Sequence, residues 1–318
     1  MFLVLYVDDG LIAAQSAGVV DQLLQTMNTQ FEATSSFAKF YLGIQIDYDQ
    51  QQRLLKVHQH AYTNSVIEKF AMANCNSTST PADPSIEIRR NEGPKAEVPF
   101  RRLIGNLMYL AIATRPDITF IVYKLCQHLD NPSEVHWQAA KRVIRYLKAT
   151  PDYGIVFDGN SSTQNQMKAY TDADYAMCVD TRKSTSRVVI ILNKGPILWL
   201  SRKQGVVTDS TTYAEYVAMH DGAREVVWLR RILDDLGVSQ QQPTPLFCDN
   251  TAARKLATGE SFNGRSKHIE IDYHYTREQH EKTVNIQPIS TKLQLADIFT
   301  KPLHPQTFGY LRSSLNIF

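Results

Sequence analysis

The hydrophobic period of this chain changes at Tyr153, and that change limits the folds open to it. Segments 154–157, 167–171, 188–192 and 197–200 are short runs of β-prone apolar residues separated by polar turns, and each reads as a strand. A helical period then takes over at 212–236, where Ala214, Val217, Ala218, Val226, Leu229 and Leu233 form one stripe. Further on, 246–248 and 283–289 predict strands, 250–257 and 270–282 predict helices, and 293–299 predicts a last short helix. Strands first and mixed elements afterwards predict an α/β or α+β layer built on one sheet.

Upstream, two apolar runs flank Val7-Asp8-Asp9-Gly10 and read as a β-hairpin. Segments 19–31 and 62–72 have helical spacing, and 40–48 and 54–57 read as strands. Residues 75–97 are rich in Ser, Thr, Asn, Pro and Gly, which predicts a linker. Three helical patterns follow. One carries Leu103, Leu107, Leu110 and Ala111, and one follows Pro116. The third opens at Asn131-Pro132, read as an N-cap with proline at the first helical position. Lys141, Arg142, Arg145 and Lys148 line its outer face, either as a solvated face or as a strip that tracks a phosphate backbone. The divisions that result are 1–74, 75–97, 98–151 and 152–318.

A net charge of only +2 over 318 residues means that any nucleic-acid partner is gripped by local patches and not by a global field. Cys75, Cys126, Cys178 and Cys248 lie far apart without CxxC pairs. That spacing argues against a disulfide framework or a cysteine zinc site and suits a reducing, intracellular compartment. No run approaches 18 apolar residues, so no membrane span is expected. The apolar start lacks a basic segment and is broken by Asp8-Asp9, unlike a signal peptide.

Four carboxylates stand out against this map. Asp172 ends an apolar strand, Glu215 lies one turn into the long helix, Asp249 ends the next strand, and Asp297 sits in the final helix. Acids at strand ends and helix turns can meet at one sheet edge, and an oxygen-rich cluster binds Mg²⁺ or Mn²⁺. Two such ions activate water and stabilise the leaving oxygen in phosphodiester cleavage. Each acid also suits a local role. Thr212 with Glu215 matches a capping box, Asp249-Asn250 matches an N-cap, Asp172 and Asp174 suit a strand-end turn, and Asp297 suits a solvated helix face.

Tyr170-Thr-Asp-Ala-Asp-Tyr-Ala176, Arg182-Lys-Ser-Thr-Ser186, Pro196 to Gln204, Ala214-Glu-Tyr216, Trp228-Leu-Arg-Arg231, Cys248-Asp-Asn250, Ser266-Lys-His-Ile269 and Leu295 to Leu303 occur in this order. The series resembles the ribonuclease H domain of copia-type retrotransposon Pol polyproteins. The resemblance implies a ribonuclease H-like mixed sheet with flanking helices over 152–318. It places metal-binding, catalytic carboxylates on Asp172, Glu215, Asp249 and Asp297, with two Mg²⁺ or Mn²⁺ ions. Tyr6-Val-Asp-Asp9 is similar to the catalytic hairpin of a reverse transcriptase palm. Tyr41-Leu-Gly-Ile44, Arg102 to Leu110 and Thr114-Arg-Pro-Asp117 are similar to later polymerase and connection segments of the same family. The resemblance therefore makes 1–74 a truncated palm and thumb-like segment and 98–151 a helical connection.

The implied function is hydrolysis of the RNA strand of RNA/DNA hybrids. Asp8 and Asp9 would be a polymerase remnant, with no polymerase activity expected from this chain alone. The rest of a reverse transcriptase polyprotein would be a partner, and the compartment a cytoplasmic particle. Lys267 and His268, just before a predicted helix, are candidate substrate contacts. The competing readings are an inactive nucleic-acid-binding remnant and an integrase- or transposase-like nuclease. Departures from the family pattern support the first competitor. Tyr175, Met177-Cys178, Arg187 and Tyr213 stand where the family has Trp, Gly-Asp, Gly and Glu. Arg187 would strain the backbone if its position needed a positive φ.

Overall fold

A computed structural model of the chain describes residues 1–31, 34–160, 165–174, 183–205, 210–259 and 270–318. Strands β1 (Phe2–Tyr6) and β2 (Asp9–Ala13) form the expected hairpin, a two-stranded sheet of its own with Tyr6 opposite Asp9. Its apolar residues Phe2 to Val7 are exposed. Helix α1 (Ala17–Asn28) follows. Strands β3 (Phe40–Tyr41), β4 (Ile44–Asp49) and β5 (Leu54–His58) form an antiparallel meander.

The strand beside β5 comes from far along the chain. Strand β6 (Gly154–Asp158) pairs antiparallel with β5, placing Leu55 opposite Phe157 and Val57 opposite Ile155. A Cβ at Gly154 would overlap the Val57 carbonyl and His58, so this approach requires glycine. The four-stranded sheet thus draws on both sides of the 151/152 division. Hydrophobic alternation reveals a strand and its faces but not its neighbour.

Helices α2 (His60–Lys69), α3 (Phe100–Ala113), α4 (Thr119–Cys126) and α5 (Glu134–Ala149) share one core. In α3, Phe100, Leu103, Ile104, Leu107, Leu110 and Ala111 are all buried, as helical spacing demands. The cap of α5 is Ser133 and not Asn131. Its Oγ accepts from the His136 amide while His136 Nδ1 accepts from the Ser133 amide, so a histidine completes the reciprocal box.

Arg115 and Asp117 are fully buried between these helices. Arg115 Nε and Nη2 donate to the Asp117 carboxylate at 2.9 and 2.8 Å, and Nη1 donates to the Thr150 carbonyl at 2.8 Å. The Tyr146 hydroxyl donates to Asp117 at 2.5 Å. The pair thereby ties the start of α4 to the end of α5.

Residues 75–97 are irregular, as expected, but they do not hang free. Ala82 and Ile88 belong to the helical core. The basic face of α5 holds this strap. Arg142 Nη1 lies 3.0 Å from Asp83 Oδ2, Arg145 Nε donates to the Asn76 carbonyl, and Lys148 Nζ donates to the Cys75 carbonyl. Lys141 sits over the Trp137 ring. The face read as a phosphate-tracking strip is therefore spent on intramolecular contacts, and the segment read as a linker is a packed strap.

The second sheet contains β7 (Lys168–Asp174), β8 (Thr185–Leu192), β9 (Gly195–Lys203), β10 (Thr244–Cys248) and β11 (Val284–Pro288), in the order β11-β10-β7-β8-β9. Strands β7, β8 and β9 are antiparallel neighbours, and β10 runs parallel to both β7 and β11. Helices α6 (Thr211–Asp235), α7 (Thr251–Thr258), α8 (Glu270–Gln279) and α9 (Pro305–Ser314) flank it. This mixed sheet with flanking helices is the fold class the sequence predicts.

Strand β8 is buried on both faces. Val188 and Ile190 enter the core shared with α6, while Val189 enters the core of α3 to α5. Trp199 on β9 donates its Nε1 proton to the Ala111 carbonyl at 2.8 Å and fastens α3 to the sheet. Leu295–Phe299 forms a 3₁₀ turn. Helix α9 gives the sequence little to show, since only Phe308 and Leu311 are buried. After it, residues 316–318 return to β6, where the Gly154 amide donates to the Phe318 carbonyl and the Val156 amide to the Asn316 carbonyl. Among the described residues Cys75, Cys126 and Cys248 are free thiols, and no helix is long and apolar enough to cross a membrane.

Candidate functional site

Strand register brings two of the four acids together. Phe247 of β10 lies beside Tyr170 of the parallel β7, and Asp249 and Asp172 each come two residues later. Asp172 lies within β7, opposite Arg187 of β8, and not in a turn. It is 8% exposed.

Glu215 arrives on the second turn of α6. That helix is capped by Ser210, whose side chain accepts from the Tyr213 amide, so Thr212 and Glu215 form no capping box. Glu215 instead hydrogen-bonds the Asp172 carboxyl and accepts from the Ala173 amide. Helix α6 lies this close to β7 because Gly222 has no Cβ, which would overlap the Thr171 side chain.

Asp249 is not the cap of α7. Asn250 takes that role by accepting from the Ala253 amide at 3.0 Å, while Asp249 Oδ2 accepts from the Thr291 hydroxyl at 2.7 Å. Asp297 is buried in the 3₁₀ turn, not solvated, with Lys301 Nζ 3.6 Å from its Oδ2. Gln294 fixes that turn to the sheet by donating to the Thr171 carbonyl at 2.9 Å. Each of the four carboxylates interacts electrostatically with at least one of the others.

The electrostatics follow from burial. Burial pushes Asp172 and Glu215 far above the ordinary carboxylate range, with the charge of Asp297 and then Asp249 adding to the rise at Asp172, and those of Asp172 and Asp249 to the rise at Glu215, so the pair favours holding a proton between them. Burial also raises Asp297, with Lys301 opposing and Asp249 adding to the shift. The Cys248 thiol is driven up by burial and by Glu215. Such a cluster gains from a bound cation. Glu215, Cys248 and Asp249 each offer a ligand atom, and these atoms lie within 4.8 Å of one another. A set dominated by carboxylate oxygens fits Mg²⁺ or Mn²⁺.

Several residues near the cluster escape sequence reasoning. Cys248 and Lys301 lie inside the motif blocks beside their acids but carry no spacing signal. Thr291 and Gln294 have none at all. Arg187 is visible only as a departure from a family pattern. Its backbone is ordinary strand without a positive φ, so the expected strain does not arise. Its buried guanidinium donates to the Phe299 carbonyl through Nε, and through Nη2 to Asp174 Oδ2 and the Thr300 carbonyl at 3.4 Å each. Asp8 and Asp9 lie in the separate N-terminal hairpin. Lys267 and His268 lie outside the described residues.

Residues 1–84 match the family described as reverse transcriptase (RNA-dependent DNA polymerase). The chain is 34% identical over 311 residues to the retrovirus-related Pol polyprotein from transposon TNT 1-94 of Nicotiana tabacum, covering 95% of this chain and 23% of that protein. It is 32% identical over 233 residues to a mitochondrial protein of Arabidopsis thaliana, covering 72% of this chain and 94% of that one. The chain thus spans little more than a fifth of the length of these transposon polyproteins. Among solved structures it is similar to LC11-RNase H1, with 18% identity and a TM-score of 0.33 over 43% of this chain and 93% of that one.

Proposed function

Because the chain belongs to the copia-type family of transposon Pol polyproteins, we propose that its carboxylate cluster binds divalent metal and cleaves the RNA strand of RNA/DNA hybrids. The observation that carries this reading is the convergence of Asp172 in β7, Glu215 in α6, Asp249 just after β10 and Asp297 in the 3₁₀ turn, with all but the half-buried Asp249 buried. Acids held this close repel one another, and two nearby cations, Arg187 and Lys301, offset only part of that charge.

Asp172, Glu215, Asp249 and Asp297 would hold Mg²⁺ or Mn²⁺. When bound, two such ions supply an activated water and stabilise the leaving oxygen of a phosphodiester. The chain's own residues prepare the site. Asp172 and Glu215 release their shared proton to become ligands. Thr291 orients the Asp249 carboxylate, and Gln294 fixes the turn that presents Asp297. Water is the nucleophile, so no covalent enzyme intermediate forms.

The test uses the full chain. In Mg²⁺ it cuts a labelled RNA/DNA hybrid and leaves duplex DNA intact, while Asp172→Asn and Glu215→Gln lose at least about a hundredfold in rate. Equal rates in the wild type and both variants would refute the assignment. Hybrid binding without cleavage in all three would favour the inactive remnant instead.

A further inference from the structure

We propose that Arg187 is a resident counter-cation of the carboxylate cluster and restrains its uptake of divalent ions. The inference rests on the metal-binding reading above and goes beyond the partial charge offset that reading gives Arg187.

Three observations carry it. First, Arg187 is the direct cross-strand partner of Asp172 on the same face of the sheet, where paired Cβ atoms lie about 4.5–5.5 Å apart. Second, its side chain is 4% exposed, so little water screens its charge from the acids. Third, it cannot swing away. Its Nε and Nη2 are held by the carbonyls of Phe299 and Thr300, at the end of the turn that carries Asp297, and by Asp174 of β7. Its Nη1 is buried with no hydrogen-bond partner among the described residues.

A fixed positive charge and an incoming divalent ion compete for the same negative charge. With the cluster empty, Arg187 relieves repulsion around Asp172. With an ion present, it repels that ion. The chain therefore demands a higher concentration of Mg²⁺ or Mn²⁺ than the same fold with a neutral residue at this position.

The experiment measures Mn²⁺ binding to the full chain, without nucleic acid, by calorimetry and by electron paramagnetic resonance of free Mn²⁺. Four variants are compared with the wild type: Arg187→Gln, Arg187→Gly, Arg187→Lys and Asp172→Asn. The Gln and Gly variants are expected to bind about tenfold more tightly, equivalent to about 1.4 kcal/mol. The Lys variant, which keeps the charge, stays near the wild type.

Gln and Gly variants that match the wild type while Asp172→Asn abolishes binding would overturn this inference alone. Binding that Asp172→Asn leaves intact would overturn the site assignment and this inference with it. Loss of the native near-ultraviolet spectrum in both neutral variants would also overturn it, because the guanidinium would then be a folding element and not a brake on ion uptake.

Discussion

Replacing Asp172 with Asn should stabilise the metal-free protein increasingly above about pH 4 and fully above about pH 7. Asp172 is buried against Glu215, and its carboxyl is pushed from the ordinary 3.8 up to about 7. At 1.36 kcal/mol for each tenfold change in proton affinity, keeping it ionised above that pH costs the native state about 4 kcal/mol. The proton shared with Glu215 and relaxation around the site reduce the recoverable part to about 1–3 kcal/mol.

The sign follows from linkage. A carboxyl raised in the native state favours folding while protonated, and that contribution is lost as pH rises through the native value. The wild type should therefore weaken between about pH 4 and pH 7. The Asn variant, which can still donate to Glu215, should weaken less. Urea unfolding of both proteins in chelator at pH 4 and pH 8 measures this. Near-equal stabilities at pH 4 and a gain of about 1–3 kcal/mol for the variant at pH 8 are expected. A variant less stable at pH 8, or shifted equally at both values, would refute the account of a crowded acidic cluster. Adding Mn²⁺ at pH 8 should reverse the order, because only the wild type keeps the full ligand set.

Two further predictions concern the scaffold. Asp117→Asn leaves Arg115 buried without its counter-charge and should cost about 3–5 kcal/mol, read as a lower urea midpoint; a loss under 1 kcal/mol would mean the pair adds no more than its packing. Arg142→Ala combined with Arg145→Ala should release the strap, costing about 1–2 kcal/mol of local stability and speeding nicking within residues 76–97 by a broad-specificity protease; unchanged nicking would show that Ala82 and Ile88 hold it unaided.

Much of the fold was legible because periodicity is local. The stripe from Ala214 to Leu233 marked α6 to within a residue at each end, and the apolar run before Asp249 marked β10. What stayed hidden was relational. Gly154–Asp158 reads as a strand, but nothing in its alternation says that it pairs with β5. Ala82 and Ile88 are too isolated in the strap to give a period, so a packed segment resembles a linker. The acids behaved alike. Their residue types and elements could be read, yet each also fitted a cap or a turn. Only the parallel register of β10 on β7 and the close seat of α6 bring Asp249 and Glu215 to Asp172. Arg187 was visible as an oddity but not as a charge beside the cluster.

Strand β6 is stitched along one edge to β5 and along the other to residues 316–318. Anyone seeking the proposed nuclease as a smaller piece would cut near residue 151, where the hydrophobic period changes. That cut would strip β6 of its neighbour and bare a row of backbone donors and acceptors, inviting aggregation. The seam between the two halves is woven, and they should melt as one.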